Sequence, residues 1–288
     1  GLTNGMRIII EGVGGMTQLD NREFEVANAA ANTFELLGID GTGFSAYTSG
    51  GTAAEIYEIV SPYTDADIFD LKFTQSADVL YIAHPDFPPA KLTRTAHNNW
   101  TLTTIVFIDG PYFPTNTTTT TLTPSAASGA GITITASSIV GINGGAGFAS
   151  TDVGRFIRMK HVSTWGYAKI VGFTSTTVVT ADVINNFAAA AAVATWRLGL
   201  WSDTTGYPAV TTFHEDRLLF GGTPDAPQRI DLSKTGNYED FSPTATDGTV
   251  ADDNALSFTF NASDVNVVRW CTSDEKGLLA GTVGGEWV

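Results

Sequence analysis

The histidines are the first residues to test for chemistry. His214-Glu215 resembles the start of a zinc-protease motif, but that motif needs a second histidine at position 218, where this chain has leucine. The spacing of the histidines does not suit a shared metal ion, and we interpret all of them as turn or rim residues. They are His84, His97, His161 and His214. The sequence therefore predicts no metal site and no cofactor.

Two groups of carboxylates could in principle do acid–base work. They are Asp65 with Asp67, and Asp247 with Asp252 and Asp253. Glycoside hydrolysis needs two carboxylates facing each other across roughly 5–9 Å, which closeness in sequence does not provide. The spacing also departs from the calcium-loop pattern. Solvated turn carboxylates are the favoured interpretation; a fortuitous cation site and catalysis are the alternatives.

The remaining reactive or ligand-binding patterns favour structural roles. The glycine-rich runs at 12–15, 144–147 and 284–285 lack the Lys-Ser/Thr ending of a phosphate loop and predict tight turns. Cys271 is the single cysteine, so no intrachain disulfide can form, and its strand-like context predicts an inert core thiol. Four aromatic residues could stack on sugars, but their strand positions favour packing: Trp165, Tyr167, Trp196 and Trp201. We predict no catalytic residue.

Composition sets the broad class. The 288 residues are 43% hydrophobic and only 16% charged, and the many glycines and threonines favour strands and turns. A formal charge of −15 disfavours tight binding to a phosphate backbone, although solubility alone could explain it. No apolar stretch approaches the roughly 20 residues of a membrane span, and no signal peptide is visible. The first and last residues do not resemble natural termini, so we expect a fragment of a longer protein.

The elements that must position these residues are strands. Alternation of polar and apolar residues predicts a hairpin within 24–37 and, after a loop at 38–52, a strand over 54–60. Two further strands are predicted at 71–73 and 79–83, on either side of a turn at 75–78. Pro85, Pro88 and Pro89 predict a corner that lies outside any central strand. The threonine-rich tract 115–123 predicts an extended surface linker.

Two kinds of internal repeat organise the chain. Residues 1–58 and 123–201 share a strand pattern, with 154–159 echoing 5–10, 176–180 echoing 32–36, and Trp196-Arg197-Leu198 echoing Ile56-Tyr57-Glu58. We interpret them as two small β-barrels.

The second repeat lies in 59–122 and 202–288. One constant offset in numbering relates Asp78 to Asp216 and Trp100 to Tyr238, and part of the pattern recurs at 277–281. Strand pairs that repeat in this way are typical of propeller blades. The predicted fold class is all-β, with propeller-type blade strands and two small inserted or appended barrels.

Several runs carry a family resemblance. Gln75-Ser76-Ala77-Asp78-Val79-Leu80-Tyr81-Ile82-Ala83-His84, Phe213–Thr223 and 281–287 resemble stretches of phage and prophage tail nozzle proteins of the tail tubular protein B and packaged-DNA stabilisation type. The small modules are similar in barrel shape to the first-catalytic-cysteine half-domain of ubiquitin-activating enzymes. No residue here matches an adenylation site or a catalytic cysteine.

The resemblance implies a non-enzymatic virion protein of the phage tail, assembled in the bacterial host cytoplasm. Its partners would be further copies in a homo-oligomeric ring of six, the portal and adaptor, and other tail proteins. Such a ring extends the DNA channel and helps to retain and eject the genome, which passes without sticking. The alternatives are a receptor- or glycan-binding tail module and a propeller glycosidase.

Overall fold

The computed structural model describes residues 1–261 and 265–288, and it confirms an all-β fold. The chain divides into two compact units, Gly1–Ser61 and Pro62–Val288. The domain boundaries predicted after residues 58, 122 and 201 stay a prediction.

The first unit contains one antiparallel sheet in the order β3-β2-β1-β4. Its strands are β1 (Arg7–Gly14), β2 (Arg22–Ala27), β3 (Glu35–Leu36) and β4 (Ser49–Glu55), with a short 3-10 helix at Thr17–Leu19. Alternate residues of β1 and β2 form its core, since Ile8, Ile10, Phe24 and Val26 are buried. The predicted hairpin within 24–37 is confirmed as the pair β2–β3.

The strand predicted at 54–60 is wrong in position. β4 starts at Ser49 and ends at Glu55, and it pairs with β1 through Val13 opposite Gly50. A Cβ on Gly50 would lie 2.7 Å from the carbonyl oxygen of Gly12, so the close approach of the strands requires glycine there. A glycine-rich strand of this kind carries no hydrophobic alternation, which is why the sequence pattern predicts a loop at its start.

The second unit begins with an antiparallel sheet in the order β5-β6-β7-β8. These strands are β5 (Lys72–Ser76), β6 (Val79–His84), β7 (Phe87–Ala96) and β8 (Asn99–Thr104). The two strands predicted around the turn at 75–78 are confirmed as β5 and β6. The prediction for the prolines is wrong, because Pro88 and Pro89 lie in β7, between two other strands. They are tolerated because the register with β6 is irregular beside them and pairing with β8 starts only at Ala90.

A six-stranded antiparallel sheet follows, in the order β14-β11-β12-β13-β10-β9. Its strands are β9 (Leu122–Pro124), β10 (Ile132–Ala136), β11 (Phe156–His161), β12 (Thr164–Ser175), β13 (Val178–Asn185) and β14 (Trp196–Leu198), with 3-10 helices at Asn143–Gly145 and Ser150–Asp152. Its core is a continuous aliphatic and aromatic cluster around Ile134, Ile157 and Met159.

Four strands of this sheet repeat the order of the first unit. Taken in reverse, β13-β12-β11-β14 corresponds to β3-β2-β1-β4, and all of these pairs are antiparallel. The six-stranded sheet adds β10 and β9 beside β13. The echo between residues 196–198 and 56–58 is wrong, because β14 takes the place of β4 (49–55) and residues 56–58 follow that strand.

The threonine-rich tract is not the surface linker that its composition predicted. Thr120 and Leu122 are fully buried, and Leu122 opens β9. Asn116 Nδ2 donates to the carbonyls of Thr118, Thr120 and Ala194, and Thr120 Oγ1 donates to the carbonyl of Val140 at 2.7 Å. The tract is therefore built into the sheet through its own hydrogen bonds.

Two further meander sheets complete the second unit. One has the order β15-β16-β17-β18 and the other β19-β20-β21. Their strands are β15 (Val210–His214), β16 (Arg217–Thr223), β17 (Ala226–Leu232), β18 (Leu256–Thr259), β19 (Val268–Asp274), β20 (Gly277–Thr282) and β21 (Gly285–Trp287).

The offset that relates Asp78 to Asp216 holds for three strands and fails for the fourth. Added to the residue numbers of β5 (Lys72–Ser76), the offset gives those of β15 (Val210–His214), and added to the first residue of β6 it gives the first residue of β16. Trp100 lies in β8, but Tyr238 lies in a turn, because residues 233–255 are inserted before β18. The match of Trp100 with Tyr238 is therefore wrong.

Candidate functional site

A cleft of about 330 Å³ is the first candidate site, and it lies within the second unit. Its floor is formed by the buried side chains of Ile105, Phe156 and Trp201. Pro88 and Val153 are exposed at its edge. Three separate parts of the chain therefore combine to make a hollow of mixed polar and apolar lining that no local sequence pattern indicates.

The charged side chains that line the cleft are Lys169 and Asp203. Lys169 is half-buried, and its Nζ lies 5.9 Å from the centre of the Phe156 ring. Among the described residues it forms no ion pair. Asp203 accepts a 2.8 Å hydrogen bond from the hydroxyl of Tyr207, whose pKa is raised chiefly by burial and then by that bond. With one carboxylate and one amine, the cleft can bind a side chain or a small ligand, and it offers no facing pair of carboxylates.

Buried arginines are the second feature, and we did not predict them from the sequence. Arg155, Arg158, Arg217 and Arg229 are each at most 8% exposed. Arg217 donates to the carbonyls of Ser233 (2.7 Å) and Asn254 (2.6 Å). Arg158 Nη2 donates to the carbonyl of Thr244 at 2.9 Å, and its guanidinium lies 5.1 Å from the centre of the Trp165 ring. Arg158 and Arg217 therefore hold the insertion 233–255 against two sheets.

The Arg229–Asp231 pair is the most enclosed ion pair of the β15–β18 sheet. The Arg229 guanidinium lies 2.6 Å from the Asp231 carboxylate, with the two side chains 9% and 2% exposed. Its Nη2 also donates to the carbonyl of Tyr112 at 2.7 Å, and Ser257 Oγ donates to Asp231 at 2.5 Å. The pair therefore connects the segment around Tyr112 to strands β17 and β18.

Asp109 and Tyr112 form a buried pair beside these arginines. The Tyr112 hydroxyl donates to the Asp109 carboxylate. Burial raises the pKa of Asp109, and the charge of Arg158 opposes that rise. Burial also raises the pKa of Tyr112 well above its ordinary value. Both groups contribute to packing between elements, and neither lines the cleft.

The histidines do not come together. His84 and His161 are buried, at 3% exposure each, and each is the last residue of a strand rather than the turn or rim residue that we expected. His84 packs against Phe87 and Tyr63, and His161 Nε2 lies 2.9 Å from the carbonyl of Ala191. Over residues 1–261 and 265–288, no group of three histidine, cysteine or acidic side chains is arranged to hold a metal ion.

The carboxylate groups lie in turns. Asp67 accepts from the Thr64 amide and hydroxyl, which lowers its pKa. Asp247 accepts from the Thr249 amide, with the same effect on its pKa. The carbonyls of Asp252 and Asp253, rather than their carboxylates, face Arg217.

The aromatic side chains and the cysteine serve packing. Trp165, Trp196 and Trp201 are at most 8% exposed, and Tyr167 is half-buried. Trp201 Nε1 donates to Thr223 Oγ1 at 3.0 Å, inside an aromatic cluster with Phe107, Phe220 and Phe241. Burial raises the pKa of Cys271 to about 12, so its thiol stays protonated at neutral pH.

Comparison with known proteins gives one family match. Residues 1–56 match the family described as the ubiquitin-activating enzyme E1 FCCH domain, which agrees with the resemblance drawn from the small modules. The match covers the first sheet and leaves the second unit outside it. No curated protein matches the chain. In the described part of the chain, no helix is long and apolar enough to cross a membrane.

Proposed function

We propose that the chain is a structural protein of a phage virion, a subunit of a ring-forming tail nozzle. The observation that carries the proposal is the succession of meander sheets in the second unit. β5–β8 and β15–β18 have the same strand order, and β19–β21 starts a third sheet in the same way. The first strand of the middle sheet, β15, contacts both β5 and β19.

This arrangement resembles that of propeller blades. In a propeller, each blade is a four-stranded meander, and the blades are arranged around a central channel. Contact between successive first strands fits such an arrangement. It supports the propeller-type assignment and, through it, the resemblance to tail nozzle proteins.

The distribution of cations supports passage of DNA without adhesion. Three basic residues that reach solvent each have a carboxylate partner: Lys91 with Glu239, Arg94 with Asp78, and Lys234 with Asp253. A fourth, Arg229, is buried in its pair with Asp231. Neutralisation of phosphates by free Lys and Arg supplies most non-specific DNA affinity. With these cations paired and a net charge of −15, we infer that the wall of the channel repels DNA or binds it only weakly.

The proposal includes the location and the partners. The subunit assembles in the host cytoplasm, joins a homo-oligomeric ring below the portal and adaptor, and does no catalysis. Quantitative mass spectrometry of purified virions tests this. We expect the chain in a fixed ratio to the portal, near one ring of six per virion. Its absence from virions, or cleavage of a host polysaccharide abolished by Asp252→Asn or Asp253→Asn, would contradict the proposal.

A groove on the β5–β8 sheet favours a second candidate, a glycan-binding tail module. Trp100 lies in a hollow of about 300 Å³ together with Gln75, Asp78 and Arg94. Trp100 is 39% exposed, and the Arg94 guanidinium lies 5.8 Å from its ring centre. An exposed tryptophan beside amide, carboxylate and guanidinium groups suits a sugar ring. Calorimetric titration with host surface polysaccharide, for the wild type and for Trp100→Ala, separates this candidate from a purely mechanical role.

A further inference from the structure

Phe69 is a large aromatic residue whose side chain lies in solvent instead of packing in a core. Its side chain is 83% exposed, and Ile68 beside it is 50% exposed. No other aromatic side chain in the described ranges is as exposed. Large apolar groups held in water at one spot mark interaction surfaces.

The turn that carries Phe69 is well ordered. Asp67 accepts from the Thr64 amide (2.7 Å) and hydroxyl (2.8 Å), and the amides of Asp67 and Asp70 each donate at 3.0 Å to the carbonyls three residues earlier. Lys72 Nζ donates to the carbonyl of Phe69. We name residues 64–70 the acidic turn. A presented aromatic side chain on an ordered turn loses little entropy when it binds.

The cleft over Phe156 and Trp201 has room for the Phe69 ring and carries one lysine that the carboxylates of the acidic turn can approach. Its volume of about 330 Å³ is at the lower end for pockets that enclose small ligands, roughly 300–1,000 Å³, so it has room for one aromatic side chain. Lys169 supplies a positive charge without an ion-pair partner among the described residues, whereas the acidic turn carries Asp65, Asp67 and Asp70. The one carboxylate at the cleft, Asp203, is already engaged by Tyr207.

We propose that Phe69 of one subunit inserts into this cleft on the next copy of the chain, with the carboxylates of the acidic turn around Lys169. The occupant is a second copy because this chain itself supplies both halves of the contact, an exposed aromatic ring beside three carboxylates and a cleft beside a lysine that is unpaired among the described residues. A contact between two different surfaces of the same chain is heterologous, and its repetition gives a ring when the rotation between copies closes on itself. The inference rests on the proposed nozzle function and specifies its subunit contact.

The test measures assembly of the full chain by mass photometry. Phe69→Asp removes the inserted side chain, and Val153→Trp fills the cleft from a position that is 46% exposed. We expect the wild type to form rings and each variant to associate at least about 30-fold more weakly, the effect of losing an aromatic hot spot. Val162→Asp is the matched control, because Val162 is fully exposed at a left-handed turn position that aspartate tolerates.

Mixing the two variants gives the sharpest result. Phe69→Asp keeps an intact cleft and Val153→Trp keeps an intact acidic turn, so the mixture should form dimers and no larger species. Far-UV circular dichroism checks that both variants fold. Rings that persist in Phe69→Asp, a mixture that stays monomeric, or a wild type that never associates would overturn the contact. The nozzle function fails separately, by absence of the chain from virions.

Discussion

Replacement of Arg229 by methionine should destabilise the second unit strongly. The substitution leaves the Asp231 carboxylate, 1% exposed, without the guanidinium that lies 2.6 Å away, and it leaves the Tyr112 carbonyl without its donor. Loss of one partner of a buried ion pair costs about 3–5 kcal/mol, because the remaining charge stays desolvated. That is a large share of the roughly 5–15 kcal/mol by which domains are stable.

Urea unfolding monitored by tryptophan fluorescence measures this loss. All six tryptophans follow residue 61, so the signal reports on the second unit alone. A loss of about 4 kcal/mol lowers the urea midpoint by roughly 1–2 M. Arg94→Met is the matched control, because the Arg94–Asp78 pair is 3.6 Å long with side chains 45% and 66% exposed, and such pairs contribute about 0–1 kcal/mol.

A double variant completes the design. Arg229→Met with Asp231→Leu removes both charges and should recover part of the loss, since an apolar pair of similar volume often replaces a buried ion pair at little cost. If Arg229→Met unfolds within about 1 kcal/mol of the wild type, or no differently from Arg94→Met, the assignment of Arg229–Asp231 as an enclosed structural pair is wrong.

Three further outcomes are expected. Trp201→Ala should cost about 3–5 kcal/mol in the same urea assay, because it opens the aromatic cluster and leaves Thr223 without its indole donor. Cys271 should react slowly with a disulfide reagent at pH 8 and faster towards pH 12, whereas a rate like that of the urea-unfolded chain would contradict its burial. The hydrogen bonds from Thr64 lower the pKa of Asp67. The turn is therefore stabilised at pH values above the ordinary aspartate pKa, and it loses that stabilisation as the pH falls through the lowered pKa. The NMR chemical shift of the Thr64 amide should follow this transition, and the transition should be absent in Asp67→Asn.

The strand content could be predicted because it depends on local pattern. Alternation and turn residues locate β2 and β3 and the hairpin of β5 and β6, and the offset between Asp78 and Asp216 relates β16 and β17 to β6 and β7. The glycine-rich β4 has no such alternation, since its place depends on close approach to β1. Local pattern therefore predicts strands with buried faces better than strands defined by backbone proximity.

The candidate site could not be predicted, because its parts are distant in sequence. Arg158 and the Thr244 carbonyl are 86 residues apart, and the cleft combines residues from 88 to 207. One signal was available: Arg229 and Asp231 stand two apart on one strand, so their side chains share a face. The burial of His84 and His161 had no comparable signal, since both stand at strand ends where exposure is the usual expectation.

A cryo-electron microscopy map of the tail of intact virions, with this subunit located by a labelled variant, tests the central claim most directly. We predict a closed ring of this chain below the portal and adaptor, with DNA in its channel and with Lys91, Arg94, Arg229 and Lys234 paired to carboxylates rather than to phosphate. A map that places the chain on a peripheral fibre, or that lacks it altogether, would contradict the account.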